Sequence, residues 1–65
     1  MATDRWMTPE EVAERLRVPR ATLYAWRYKN IGPAAVRLGR HLRYRIEAVE
    51  AWEAEQEREA AARAR

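Results

Sequence analysis

The sequence predicts a mainly α-helical domain of three helices, with one two-stranded β-hairpin between the second helix and the third. Three observations carry this. The stretch Thr8-Pro9-Glu10-Glu11 is a helix-start signal followed by apolar residues at helical spacing. A second helical stretch lies between Pro19 on one side and Asn30, Gly32 and Pro33 on the other. Residues 35–45, AVRLGRHLRYR, then thread apolar residues between basic ones around Gly39, the period-two pattern of a strand pair.

The first helix has the clearest ends. Thr8 is the N-cap, Pro9 suits the first helical position, and Glu11 completes the T-x-x-E capping box. Met7 can staple onto Val12, and Val12, Ala13 and Leu16 form the apolar stripe. Pro19 ends this helix by about Arg17, because the residue before a proline avoids helical backbone.

The second helix starts near Pro19 and runs to about Lys29. Leu23 and Trp26, three apart, make its buried pair. The opposite face carries Ala21, Tyr24, Ala25 and Tyr28. Arg20 and Arg27 flank that face on one side, Thr22 and Lys29 on the other.

For the hairpin, a two-residue turn at Gly39-Arg40 would pair Leu38 with His41 and Arg37 with Leu42, mixing apolar and charged residues on both faces. A three-residue loop, Gly39-Arg40-His41, pairs Leu38 with Leu42 and Val36 with Tyr44, and turns Arg37 and Arg43 outward together. Strict alternation selects the second register. It places like charges opposite each other, which is tolerable where an anion lies against them. In this reading Val36 and Leu38 fasten the hairpin to the body, and Arg40 sits at its tip.

The last helix begins around Ile46 or Glu47, with Ile46, Val49 and Trp52 as its buried stripe. Its N-cap is weak, although Glu47 and Glu50 suit the helix dipole. Past Trp52 the sequence has high helix propensity and almost no apolar anchor. The chain, residues 1–65, reads as one domain, with 1–5 and about 58–65 expected to fray.

A chain of 65 residues buries only about 60% of its unfolded surface, so its core is small. Trp6, Trp26 and Trp52 are its large candidates. There are no cysteines and one histidine, so no disulfide forms and no metal centre is expected. No apolar run approaches a membrane span, and the N-terminus lacks a signal-peptide pattern, so a cytoplasmic protein is expected.

The net charge of +3 conceals a segregation. From Arg15 to Arg45 there are nine Lys and Arg and no acid, whereas Glu47 to Glu59 holds six Glu and one Arg. A positive face for a polyanion and an acidic helix elsewhere account for this; a solvated mixed surface is the plainer alternative. Catalysis is not expected. There is no Cys and no Ser, His41 sits on a loop tip, and the carboxylates lie on solvent faces. No phosphate-cradling glycine loop and no cofactor site is present.

What remains is a helix, a short turn, a basic helix and an Arg-rich hairpin. In such arrangements the second helix enters the major groove of double-stranded DNA and the first crosses the backbone. Ala21 and Ala25 permit close approach to base edges. Tyr24 and Tyr28 can reach phosphates or bases. Arg20, Arg27 and Lys29 are placed for phosphates, and Arg40 for a narrow minor groove. Thr22, Arg37, His41 and Arg43 complete the candidate set. Each has a competing use: Tyr24 and Tyr28 as cover for the core, Arg27 as a stem over a tryptophan, His41 as a turn residue, Thr22 as an ordinary first-turn residue.

These elements together resemble the excisionase-type DNA-binding domains, small winged relatives of MerR-type helix-turn-helix proteins. TPEEVAERL matches the first helix, VPRATLYAWR the recognition helix, VRLGRHLRYR the wing and IEAVEAW the closing helix, covering residues 6–52. The resemblance implies a winged helix-turn-helix fold that binds DNA through the second helix and the wing. It matches Arg20, Ala21, Tyr24, Ala25 and Tyr28 to the reading face, and Arg37, Arg40, His41 and Arg43 to the wing. It further implies a non-catalytic recombination directionality factor, bacterial or phage-encoded and nucleoid-associated. Such factors bind near attachment sites, often in cooperative self-associated arrays, and bend DNA so that a partner integrase excises. Relatives often carry Gly where Arg17 stands and Ser or Thr where Pro19 stands. The alternative on the same fold is a small MerR-like or AlpA-like transcription regulator. A reading of another class is a protein-interaction adaptor docking through the acidic helix, with no DNA affinity.

Overall fold

The computed structural model describes residues 6–64. Its elements are β1 (Trp6–Met7), α1 (Pro9–Leu16), α2 (Arg20–Tyr28), β2 (Ala35–Leu38), β3 (His41–Arg45) and α3 (Ile46–Arg63). The three helices match the expectation. The strands form a three-stranded antiparallel sheet in the order β1-β3-β2, one strand more than the two-stranded wing expected. β1 is only two residues long and leaves no periodicity to read; it exists because β3 offers it an edge, Trp6 pairing with Arg45 and Met7 with Tyr44.

The capping box forms at α1. The Glu11 N–H donates to Thr8 Oγ1 at 3.0 Å, and the Thr8 N–H donates to Glu11 Oε1 at 2.9 Å. The helix ends in a Schellman motif. Arg17 is left-handed at φ 60°, its N–H donates to the Glu14 carbonyl at 3.2 Å, and the Val18 N–H donates to the Ala13 carbonyl at 3.0 Å. α2 closes identically. Asn30 is left-handed at φ 63°, its N–H donates to the Arg27 carbonyl at 3.1 Å, and the Ile31 N–H donates to the Trp26 carbonyl at 2.9 Å. One αL residue thus turns the chain sharply after each of these two helices. After the second, Gly32 at φ 81° lies so close to Trp26 that a Cβ would come within 3.1 Å of the indole.

The core consists of Val12, Ala13, Leu23, Tyr44 and Val49, with Met7, Leu16, Trp26, Ala35 and Leu42 packed around it. The expectation that the tryptophans fill the centre is corrected: Trp6, Trp26 and Trp52 are each half-buried. Trp26 and Trp52 meet with ring centroids 5.3 Å apart, joining α2 to α3, and Trp6 lies under the Arg45 guanidinium at 4.4 Å. These rings are too large for a five-residue centre and serve as its rim. The buried aromatic is Tyr44, on the central strand.

The hairpin register also differs from the expectation. The turn has two residues, Gly39-Arg40, with pairs Leu38–His41, Arg37–Leu42, Val36–Arg43 and Ala35–Tyr44. Gly39 has φ 65° and Arg40 keeps a negative φ, the Gly-first pattern of a type II′ turn, whose twist matches the strands. Residues directly opposite share a face. One face therefore carries Met7, Tyr44, Ala35, Leu42 and Arg37; the other carries Trp6, Arg45, Arg43, Val36, His41 and Leu38. Val36 and Leu38 do not fasten the hairpin; they are about 40% exposed, on the outer face. Arg37 and Arg43 lie on opposite faces rather than together. This register keeps the two arginines from directly opposing each other. It is possible because the fastening comes from Tyr44 and Leu42 of β3, while β2 is an edge strand that only Ala35 ties to the core.

α3 runs 18 residues to Arg63 as one continuous helix. From Ala54 onward its residues are exposed, except the half-buried Gln56. Its base is tied to α1 by a two-pronged ion pair, Arg15 Nε and Nη2 each donating to Glu53 at 2.9 Å.

Candidate nucleic-acid interface

α2 is oriented by its buried side. Leu23 is inserted in the core and Trp26 leans on Trp52, so the rest of the helix faces outward. At about 100° per residue, the outward strip is centred on Ala21, Ala25 and Tyr28, with Tyr24 on the hairpin side and Thr22 and Lys29 on the other. Exposure agrees: Ala21, Ala25 and Lys29 are exposed, Thr22 is half-buried, and Tyr24 and Tyr28 are 44% and 89% exposed.

The hairpin lies beside this helix. Between them opens a groove of about 290 Å³ lined by Tyr24, Arg27, Tyr28, Arg37, Arg40 and Leu42. Two arginines from the hairpin and one from α2 thus converge on one concave surface with two tyrosines. Arg27 also borders a second open cavity of about 400 Å³ formed with residues 30–35. No carboxylate lines either space.

Glu10 and Glu53 reach arginines elsewhere. Arg20 Nη1 donates to Glu10 Oε2 at 2.9 Å, drawing the first arginine of α2 toward α1. The Glu10 carboxyl is held below its ordinary value chiefly by a backbone N–H, with Arg20 adding to the effect against partial desolvation. Glu53 is held low chiefly by the Arg15 hydrogen bond, and Arg15 is correspondingly raised. Beneath the groove, burial raises the Tyr44 hydroxyl above its ordinary value, with Arg27 opposing and Tyr24 adding.

The structure therefore sorts the candidate residues into groups. Tyr24, Arg27, Tyr28, Arg37 and Arg40 share the groove. Ala21 and Ala25 form the bare strip next to it, flanked by Thr22 and Lys29, while Arg20 leans on Glu10. His41 and Arg43 fall on the outer face of the sheet, Arg43 donating to the Leu42 carbonyl at 2.8 Å. Among the described residues, the arginine stacked on a tryptophan is Arg45 over Trp6. Sequence reasoning missed Leu42 as a groove residue, because its register turned Leu42 wholly into the body; the Gly39-Arg40 dipeptide was the signal for the turn that was formed.

Among the described residues no cluster of three or more His, Asp or Glu could hold a metal ion, and no helix is long and apolar enough to cross a membrane. Compared with curated proteins and with solved structures, the chain has no match. Compared with protein families, residues 6–57 match the helix-turn-helix domain. That span takes in all three helices' packed portions and the whole sheet, and the capped α1, the tight Arg17–Pro19 turn and the outward-facing α2 are its physical content: the chain belongs to the helix-turn-helix domain family, as a binder of double-stranded DNA.

Proposed function

We propose that this protein is a recombination directionality factor of the excisionase type: it binds near attachment sites, bends the DNA and directs a partner integrase toward excision. The observation that carries the reading is the groove in which Arg27, Arg37 and Arg40 converge beside the tyrosines of α2. It supports a hairpin that acts as a wing continuous with the recognition helix. α2 enters the major groove, and Arg40 at the turn reaches the flanking minor groove, where a narrow A-tract has the most negative potential. Gripping two successive grooves favours a bent duplex, whose deformation energy is offset by the added contacts. The acid-free stretch supplies the electrostatic part of affinity.

The deciding experiment is a recombination assay with the cognate integrase, with and without this protein. Stimulated excision supports the proposal. Unchanged recombination together with altered output from a neighbouring promoter would instead assign a transcription regulator working through the same residues. Duplex titrations at several salt concentrations test the interface itself. If about five cations neutralise phosphates, log K falls with log salt at a slope of about −4 to −5. A flat line would remove the electrostatic footprint.

A further inference from the structure

We propose that the groove between α2 and the hairpin also binds single-stranded DNA, stacking unpaired bases on Tyr24 and Tyr28 and holding their phosphates with Arg37 and Arg40. This goes beyond the duplex-binding reading above and gives the same groove a second ligand of different structure.

The mixed lining is the starting observation. Arg27, Arg37 and Arg40 supply charge, and Tyr24, Tyr28 and Leu42 supply apolar surface, around a space of about 290 Å³ with no carboxylate. A phosphate needs only the charge. Ring faces and a leucine offer it nothing, and apolar surface left in water is unfavourable. Packing does not account for the rings either. Tyr28 is 89% exposed and Tyr24 is 44% exposed, and neither belongs to the core or to the side chains packed around it. Four residues at 1.5 Å each put the two about 6 Å apart along the helix axis, so their side chains follow one another along the groove.

A stacked duplex cannot use those ring faces, because its bases cover one another and show only their edges in the grooves. A single strand has both things the lining is suited to: free base faces, and phosphates between them. Aromatic rings beside a cationic track are a general solution for such strands, and they tolerate any sequence because every base has a π-face. The groove divides the work between its walls. The tyrosines stand on α2, and Arg37 and Arg40 stand on the hairpin, so bases lie against the helix and the backbone lies against the hairpin. Leu42, half-buried on β3, adds apolar lining between them. Arg27 also borders the adjoining cavity of about 400 Å³, which carries the cationic track on past the tyrosines.

The test uses the full chain and two fluorescently labelled oligomers of equal length, followed by anisotropy. One is oligothymidylate, which does not pair with itself. The other is an abasic deoxyribose-phosphate chain with the same phosphates and no bases. Oligothymidylate should bind at least about fivefold more tightly, the effect of one base stacked on one ring. Tyr28→Ala should erase most of that difference, and Tyr28→Phe should keep it, because stacking needs the ring and not the hydroxyl. Arg37→Ala should weaken both oligomers alike, through the phosphates. Tyr28 is exposed, so its variants fold as the parent does, and thermal melts check this. Equal affinity for the two oligomers, or a Tyr28→Phe variant that behaves like Tyr28→Ala, would overturn this inference while leaving duplex binding in place. Failure to bind oligothymidylate and any duplex alike would overturn the interface together with it.

Discussion

Tyr44 gives the sharpest test of how the core is built. It is 1% exposed, the largest fully buried side chain, yet its hydroxyl has no hydrogen-bond partner among the described residues. An unpaired buried hydroxyl costs about 1–3 kcal/mol in desolvation. Tyr44→Phe keeps the ring and removes only that oxygen, so it should stabilise the domain by about 1 kcal/mol, the low end of that range. For a domain this small, the melting temperature should rise by about 4–8 °C. Alkali provides a second reading. Burial raises the Tyr44 hydroxyl above its ordinary value of 10.0, with Arg27 opposing and Tyr24 adding to the shift. Between the unfolded and folded values the native state holds a proton that the unfolded state has lost, so stability is full below pH 10.0 and falls above it. The Phe variant has no such loss, and its advantage should widen in alkali. Thermal melts of both proteins on either side of pH 10.0 measure this. A lower melting temperature for Tyr44→Phe would refute the reasoning, because the hydroxyl would then be doing favourable work.

Three other perturbations have defined outcomes. Arg17→Gly relieves an exposed left-handed residue at φ 60° and should stabilise by about 1 kcal/mol in thermal melts; a drop would mean that the arginine side chain contributes more than its backbone costs. Arg37→Ala should lower the salt slope of duplex binding by about one unit, while Arg43→Ala, on the opposite sheet face, leaves it nearly unchanged; equal effects would contradict the separation of the two. Glu53→Gln should lower the melting temperature at neutral pH, where the carboxylate pairs with Arg15. Because Glu53 is depressed below 4.5, that contribution is present above 4.5 and is lost as pH falls through the folded value, so the two proteins should converge in acid; a gap that persists in acid would come from something other than the ion pair.

What the sequence revealed, and what it hid, follows the range of the interactions. The Thr8–Glu11 box is complete within four residues, so its pattern and its geometry are the same information. The left-handed end of α1 is equally local, but Arg17 occupies it instead of glycine, and the backbone requirement left no mark in the residue type. β1 depends on β3, far along the chain, and two residues carry no period. The hairpin register was misjudged because alternation was given equal weight on both strands. Alternation is dictated only where a face is buried, and on β2 that is true of Ala35 alone. The turn dipeptide was the more local signal, and it prevailed. For the candidate site, charge and helix phase nominated the residues, but which arginines meet depends on that register: it brings Arg37 to Tyr24 and Tyr28 and sends Arg43 away.

The convergence has an electrostatic consequence for the protein without DNA. Arg27, Arg37 and Arg40 share one groove, no carboxylate lines it, and none of the three forms an ion pair among the described residues. Acids are plentiful in the chain, and Glu53 and Glu10 reach Arg15 and Arg20, on the α1 side of the molecule. Of the other described glutamates, Glu11 and Glu14 lie on α1 and the rest are carried by α3. Packing alone gives no reason for this distribution, since moving one glutamate to β2 would relieve the repulsion without touching the five core residues. Three like charges around a concave surface lower the stability of the free domain and concentrate positive potential where tyrosine edges and a leucine also lie. A phosphate backbone entering the groove removes the repulsion and releases its own counterions in the same step. In the proposed reading, the segregation of charge along the sequence is the linear trace of a surface left uncompensated by the rest of the described residues, with the compensating charge supplied by the duplex.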